Sequence, residues 1–207
     1  HTEAVRAYEE ALRVDGQAQA AVAPAEADAA RLRRDEMNFG LGVARRQLGA
    51  LETAAGHLRL AAGTSHGELR SKAQHALEQV EAEIARHLKT LEAAEQSLTV
   101  IARMGSKDPL AVIFVRALQA QTSAALGRRD ESSAHIRQML DEIEAHGPRL
   151  TGDDPTRRAL ALLGQASDES STGSRFAEAE ALLKGDPHAN SSLRWAVTVL
   201  AHDALRG

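Results

Sequence analysis

Between Asn38 and Gly63 the chain reads NFGLGVARRQLGALETAAGHLRLAAG, and its small residues fall at fixed offsets around one Leu-Gly pair. Leu41, Ala44 and Leu48, and then Ala54, Leu58 and Ala61, follow one another at three- and four-residue steps, with Gly42 beside the first set. That is the spacing of one helix face, met on both sides of a turn. Residues without bulk on the contact line let two helices touch closely. The segment therefore predicts a tight helical hairpin, and the rest of the chain must be compatible with one.

Composition agrees. The chain holds three Phe, one Trp and one Tyr, so a core must be built from Leu, Val, Ile and Ala. Ala supplies roughly a fifth of the residues, far above ordinary usage. It is the best helix former because it loses no side-chain entropy on ordering. The β-branched and aromatic runs that strands favour are scarce. The expected class is all-α.

Gly and Pro punctuate the chain near Gly16–Pro24, Gly63–Gly67, Gly105–Pro109, Gly127–Asp130, His146–Pro155, Gly164–Gly173 and Gly185–His188. Between them, apolar periodicity predicts helices at 2–14, 25–48, 50–62, 68–103, 110–126, 130–145, 156–163, 175–184 and 189–206. Asp108-Pro109, Asp154-Pro155 and Asp186-Pro187 each precede a helical pattern. Asp accepts hydrogen bonds from first-turn amides, and Pro fits the first helical position, where its missing N–H is not needed. Leu48-Gly49, Leu126-Gly127 and Leu163-Gly164 each read as a helix end, with Gly in a left-handed conformation and the preceding Leu packed inward.

Leu41, Gly42, Ala44, Leu48, Gly49, Ala54, Leu58 and Ala61 resemble the tetratricopeptide-repeat pattern. Ala4, Tyr8, Ala11, Leu12 and Asp15 look like the second helix of a preceding repeat, and Leu126, Ser132, Ile136, Met139 and Leu140 give a looser match around Gly127. Asn38 and Arg45 stand where the family often carries a large aromatic and a Tyr. The resemblance implies an irregular, tetratricopeptide-like α-solenoid of stacked hairpins over residues 1–207, with possible sub-units 1–67, 68–105 and 106–207. It also implies a concave groove that holds a peptide or partner protein. The matching groove positions are Glu36, Phe39, Val43 and Arg46 in the first hairpin, with Phe114, Ala117, Gln121 and Ala124 in the second. Phe39 beside Arg46 would be an anchor and a clamp; the alternative places both Phe residues in the core.

Glu68–Arg103 contains no Gly or Pro, and as one helix it would extend about 54 Å. Leu77, Val80, Ile84, His87, Leu91, Ala94, Leu98 and Ile101 form a heptad seam along it. One reading buries the seam inside the chain, as one long helix or as two broken near His87–Thr90. The other offers it to a partner helix or a second copy.

Motifs of catalysis are missing from the sequence: there is no GxSxG, GxxxxGK[ST], HExxH or GxGxxG. Glu142 and His146 share a helix face, which would suit a metal, but His146 at a helix end is favourable as a cation alone. Adjacent Arg pairs recur at 33–34, 45–46, 128–129 and 157–158. Neighbours on a helix point about 100° apart, so each pair serves two directions and not one patch. Solvated pairing with Glu explains most of them; grip on a partner's carboxylates is the alternative. SDESSTGS (167–174) reads as a loop, and SSLRWAVTVLAHDALRG as an amphipathic terminal cap with Leu193, Trp195 or Ala196, Val199, Leu200 and Leu205 inward.

The formal net charge is −4 with both signs interspersed, which gives no nucleic-acid footprint. No apolar run reaches the roughly 18 residues of a membrane span. Cys is absent, which leaves the compartment open between cytoplasm, the favoured one, and periplasm. The chain opens inside a helical pattern, so it reads as part of a longer protein, with His1 a tag remnant. Ala- and Arg-rich, Lys-poor usage points to a bacterial source. The expectation is a non-catalytic interaction scaffold without cofactor or metal, bound to a protein or peptide. The rivals are a structural homo-oligomer built on 68–103 and a helical sensor segment of a larger regulator.

Overall fold

The computed structural model describes residues 1–18, 24–105, 108–146, 150, 152–164 and 172–204. Among them the secondary structure is entirely helical: α1 (Thr2–Ala18), α2 (Pro24–Gln47), α3 (Leu51–Ala62), α4 (Gly67–Arg103), α5 (Pro109–Leu126), α6 (Arg129–His146), α7 (Pro155–Gly164), α8 (Thr172–Gly185) and α9 (Ser191–Ala204). The all-α expectation holds. The chain divides into two compact units, His1–Leu88 with Ala125–Arg128, and Lys89–Ala124 with Arg129–Gly207. The division at Leu88 falls within α4, inside the segment 68–105 read from the sequence as one sub-unit.

In the first unit the hairpin α2–α3 closes as its small residues predict. A Cβ on Gly42 would lie 2.5 Å from Leu58 Cγ and 3.2 Å from the Ala54 carbonyl oxygen. Gly40, four residues along from Glu36 on the same helix, does the same for α1: its Cβ would meet the Tyr8 ring at 2.5 Å. Two apolar clusters follow. Val5, Leu41 and Ala44, flanked by Tyr8 and Leu12, join α1 to α2. Leu51, Ala54, Ala55, Leu58 and Val80, flanked by Phe39, Leu77 and Ile84, join α3 to α2 and α4.

Gly49 ends α2 at φ 70°. Its N–H donates to the Arg46 carbonyl at 3.0 Å, and the Ala50 N–H donates to that of Arg45 at 2.9 Å. These two bonds satisfy the orphan carbonyls of the last turn. Gly127, at φ 92°, repeats the left-handed turn and lies against Ala50, 3.3 Å from a would-be Cβ to Ala50 Cα. Arg128 Nη2 donates to Glu52 Oε1 at 2.7 Å beside it.

Two expectations need correction. Leu48 is 43% exposed, while Leu126 and Leu163 pack inward as expected. Gly164 is not left-handed; Gly105 is, at φ 58°. Gly164 stays helical as the last residue of α7, where its small size admits the Ile143 side chain, 3.4 Å from a would-be Cβ.

The second unit gathers one core from Ile113, Met139, Ile143, Leu160, Leu183 and Leu193, contributed by α5 to α9. Two of the three Asp-Pro pairs start helices: Asp108 Oδ1 accepts from the Leu110 N–H at 3.1 Å, and Asp154 Oδ1 from the Arg157 N–H at 3.0 Å. The third makes a turn. Asp186 Oδ1 accepts from the His188 N–H at 2.9 Å, and α9 begins later, capped by Asn190, whose Oδ1 accepts from the N–H groups of Ser192 and Leu193 at 3.0 Å each. An Asx cap three residues before the first apolar position outcompeted the Pro. On α9 the buried face is Leu193, Ala196, Val197 and Ala201, with Trp195 half-buried against the core. Leu205 and most of SDESSTGS lie outside the described residues.

Helix α4 is a single helix of 37 residues. Along its seam Val80 and Ala94 are buried, and Leu77, Ile84, His87, Leu91, Leu98 and Ile101 are half-buried. Leu88 and Val100 are its exposed large apolar side chains, and Met104, just past its end, is exposed as well.

Candidate interaction surfaces

Two of the groove positions of the first hairpin, Phe39 and Arg46, face helices of the same chain. Phe39 packs, half-buried, against the α3–α4 cluster. The Arg46 guanidinium donates to Gln79 Oε1 at 2.7 Å and pairs with the Glu83 carboxylate, both on α4. Val43 is half-buried and Glu36 exposed. The second set behaves alike. Ala117 is fully buried, and Phe114 flanks the same core of α5–α9. Gln121 accepts a hydrogen bond from the Ser192 hydroxyl of α9 at 2.8 Å. Ala124 is half-buried. Phe39 and Arg46 thus meet as an apolar contact and an ionic one, with α4 as their common counterpart.

A different row on α2 was not singled out from the sequence. Arg34, Asn38, Leu41 and Arg45 follow one another at steps of four, three and four, so they share one face. They engage α1 and α3 in turn. Arg34 Nη2 donates to Asp15 Oδ2 at 3.1 Å. Asn38, 5% exposed, donates to the Arg34 carbonyl at 3.1 Å and meets His57 Nδ1 of α3 at 3.0 Å through Oδ1. Leu41 packs with Val5 of α1. Arg45 pairs with Glu9 of α1. Asn38 and Arg45, two positions where the sequence departs from the pattern it resembles, here link α2 to α3 and to α1. That coincidence was the available signal. Partly exposed ion pairs of this kind contribute about 0.2–1 kcal/mol each, so they orient helices more than they stabilise them.

The pair Arg45-Arg46 shows what adjacency on a helix does: one guanidinium reaches α1, the other α4. Solvated pairing with Glu also holds for Arg59 with Glu81 at 2.7 Å. His146, the last residue of α6, sits 3.5 Å from Glu142. Among the described residues no group of three or more His, Asp or Glu is placed to hold a metal ion. No described helix is long and apolar enough to cross a membrane.

In the second unit, His135 stands on α6, one turn beyond the bond from the Ser132 hydroxyl to the Ala120 carbonyl at 2.9 Å. Its Nδ1 is buried without a partner. Burial holds the imidazole below the ordinary histidine value; Gln138, Glu131 and Glu95 pull it up, and Arg116 adds to the lowering. The unfolded chain therefore binds the proton at higher pH than the folded one. Stability from this group is complete above the ordinary value of about 6.5 and drains away as pH falls through the window below it. His135→Gln should shrink the fall in the urea midpoint, read by Trp195 fluorescence, between pH 7.5 and pH 5.5. An unchanged fall would assign the slope to other groups.

No protein family, curated protein or solved structure matches this chain.

Proposed function

We propose that this protein is a non-catalytic helical scaffold that binds a protein or peptide partner. Its hairpins are read as irregular, tetratricopeptide-like repeats of a solenoid. The observation that carries the proposal is the use made of polar chemistry. Arg34, Arg45, Arg46, Arg59 and Arg128 each pair with an acid on another helix or turn of the first unit. Charged groups are spent on setting helices against one another, as a scaffold requires, and not on a convergent polar site.

With Phe39 and Arg46 turned to α4, the C-terminal end of α4 is the better candidate, since Val100 and, just beyond the helix, Met104 are exposed there. Val100 and Met104 lie four residues apart, on one face. Around Val80 the seam is packed within the first unit, which favours the scaffold reading over a coiled-coil dimer along the whole of α4.

Affinity capture tests this, with wild type beside Val100→Glu/Met104→Glu and Phe39→Ala/Arg46→Glu. A specific partner kept by the second variant and lost by the first is the expected result. Loss only with the second would return the site to the hairpin. Recovery of the bait's own parent protein alone would promote the homo-oligomer.

A further inference from the structure

Toward its C-terminal end α4 carries a second stripe besides its seam. Ala93, Ser97, Val100 and Met104 follow one another at steps of four, three and four, the spacing of one helix face. Met104 lies just past Arg103, yet its N–H still donates to the Val100 carbonyl at 2.9 Å. It therefore keeps to the helical spiral until Gly105 turns left-handed at φ 58°. All four residues are exposed, Val100 by 50% and Met104 by 78%. The one polar side chain of the stripe is already satisfied, since the Ser97 hydroxyl donates to the Ala93 carbonyl at 2.8 Å. A hydroxyl bonded to its own helix loses little when water leaves. Ala93 and Ser97 have no bulk, so a second helix can come close and receive Val100 and Met104 as knobs.

The two borders of the stripe differ in charge. On one side Lys89, Gln96 and Arg103 repeat at steps of seven, all exposed. Among the described residues no acid pairs with Lys89 or Arg103. Glu92, one row further out, accepts from Gln96 Nε2 at 3.4 Å. On the other side Thr90 and Ile101 are uncharged and half-buried toward the seam.

We infer that this stripe docks a partner helix whose own apolar stripe is bordered by Asp or Glu, with Lys89 and Arg103 pairing with that acidic row. The inference rests on the reading of the C-terminal end of α4 as the binding surface. A second copy of the chain fits worse. Two α4 helices packed antiparallel about a twofold axis set the Lys89–Arg103 row against itself. Packed parallel, they set it against Thr90 and Ile101, which offer no charge. A helix with carboxylates at the matching positions supplies what either self-pairing lacks, and border charges of this kind select partner and orientation.

The test uses the intact chain and two labelled helical peptides. Both carry one Leu/Ala stripe; the bordering positions hold Glu in the first and Lys in the second. Fluorescence anisotropy should show the Glu peptide binding about tenfold more tightly, because two exposed ion pairs replace two like-charge contacts. The difference should shrink at about 0.5 M salt. Lys89→Glu/Arg103→Glu, both at exposed positions, should reverse the preference. Val100→Ser/Met104→Ser should weaken both peptides by more than about tenfold. Equal binding of the two peptides, still lost with Val100→Ser/Met104→Ser, overturns the acidic partner and leaves the surface in place. Binding that survives Val100→Ser/Met104→Ser overturns both. Failure of either peptide to bind overturns the inference, and affinity capture then decides the surface by itself. So does self-association in sedimentation that Val100→Ser/Met104→Ser abolishes.

Discussion

Gly42→Val should cost the first unit about 3 kcal/mol, the upper end of the range for overpacking a filled core. The first added carbon already lies 2.5 Å from Leu58 Cγ and 3.2 Å from the Ala54 carbonyl oxygen. Leu58 is fully buried and cannot swing out to solvent. The Ala54 oxygen belongs to the backbone of α3 and cannot move without the helix. The added methyls of Val deepen the overlap, so α2 and α3 must part along their whole contact. Gly56 supplies the control: nothing lies within 4 Å of its would-be Cβ, and Gly56→Ala should stabilise by about 0.5–1 kcal/mol through helix propensity alone. Urea unfolding followed by near-ultraviolet circular dichroism of Tyr8, the single Tyr of the chain, reads both. Adding Leu58→Ala to Gly42→Val should cost less than the sum of the two changes, because one side chain fills the space the other vacates. Additive losses would mean that the two residues do not share the contact.

In the second unit Leu160→Ala should cost about 2–5 kcal/mol. Leu160 is fully buried and sits in the middle of α7, a helix of ten residues. A helix so short is marginal in water, so packing holds it and local propensity does not. Removing Leu160 takes away the central anchor between Ala159 and Leu163, and the cavity opens onto a core to which α5, α6, α8 and α9 all contribute. Trp195, the single Trp, packs against that core and reports its unfolding by fluorescence. Leu60→Ala, at a side chain 61% exposed, should stay within about 0.5 kcal/mol of wild type. A comparable loss at both sites would show that burial is not what separates them.

Much of the helical framework is legible in the sequence, because its signals are local. The predicted 25–48 appears as Pro24–Gln47, and 68–103 as Gly67–Arg103. Gly42 against Leu58 and Ala54 was readable because only close packing explains residues without side chains on a contact face. Where two local signals competed, the reading failed. At Asp186-Pro187 a second capping residue, Asn190, lay three positions on and took the helix start. Leu48 carried the same pattern as Leu126 and still faces outward, since a dipeptide does not state what lies across from it.

The interaction surfaces were less legible for the same reason. Phe39 and Arg46 have the residue types and the spacing of a groove. Whether they meet a partner or α4 depends on residues such as Val80 and Glu83, some forty positions along the chain. Asn38 and Arg45 read as departures from a pattern until α1 and α3 come together around them. Sequence alone determined what acts within a few residues: the helices, the left-handed glycine turns at Gly49 and Gly127, the small residues of the hairpin, and the one-sided seam of α4. Tertiary structure decided which partner each face receives. Helix formation is a sum of short-range backbone terms, while the choice among several polar or apolar partners is made only when distant segments compete for the same few ångströms.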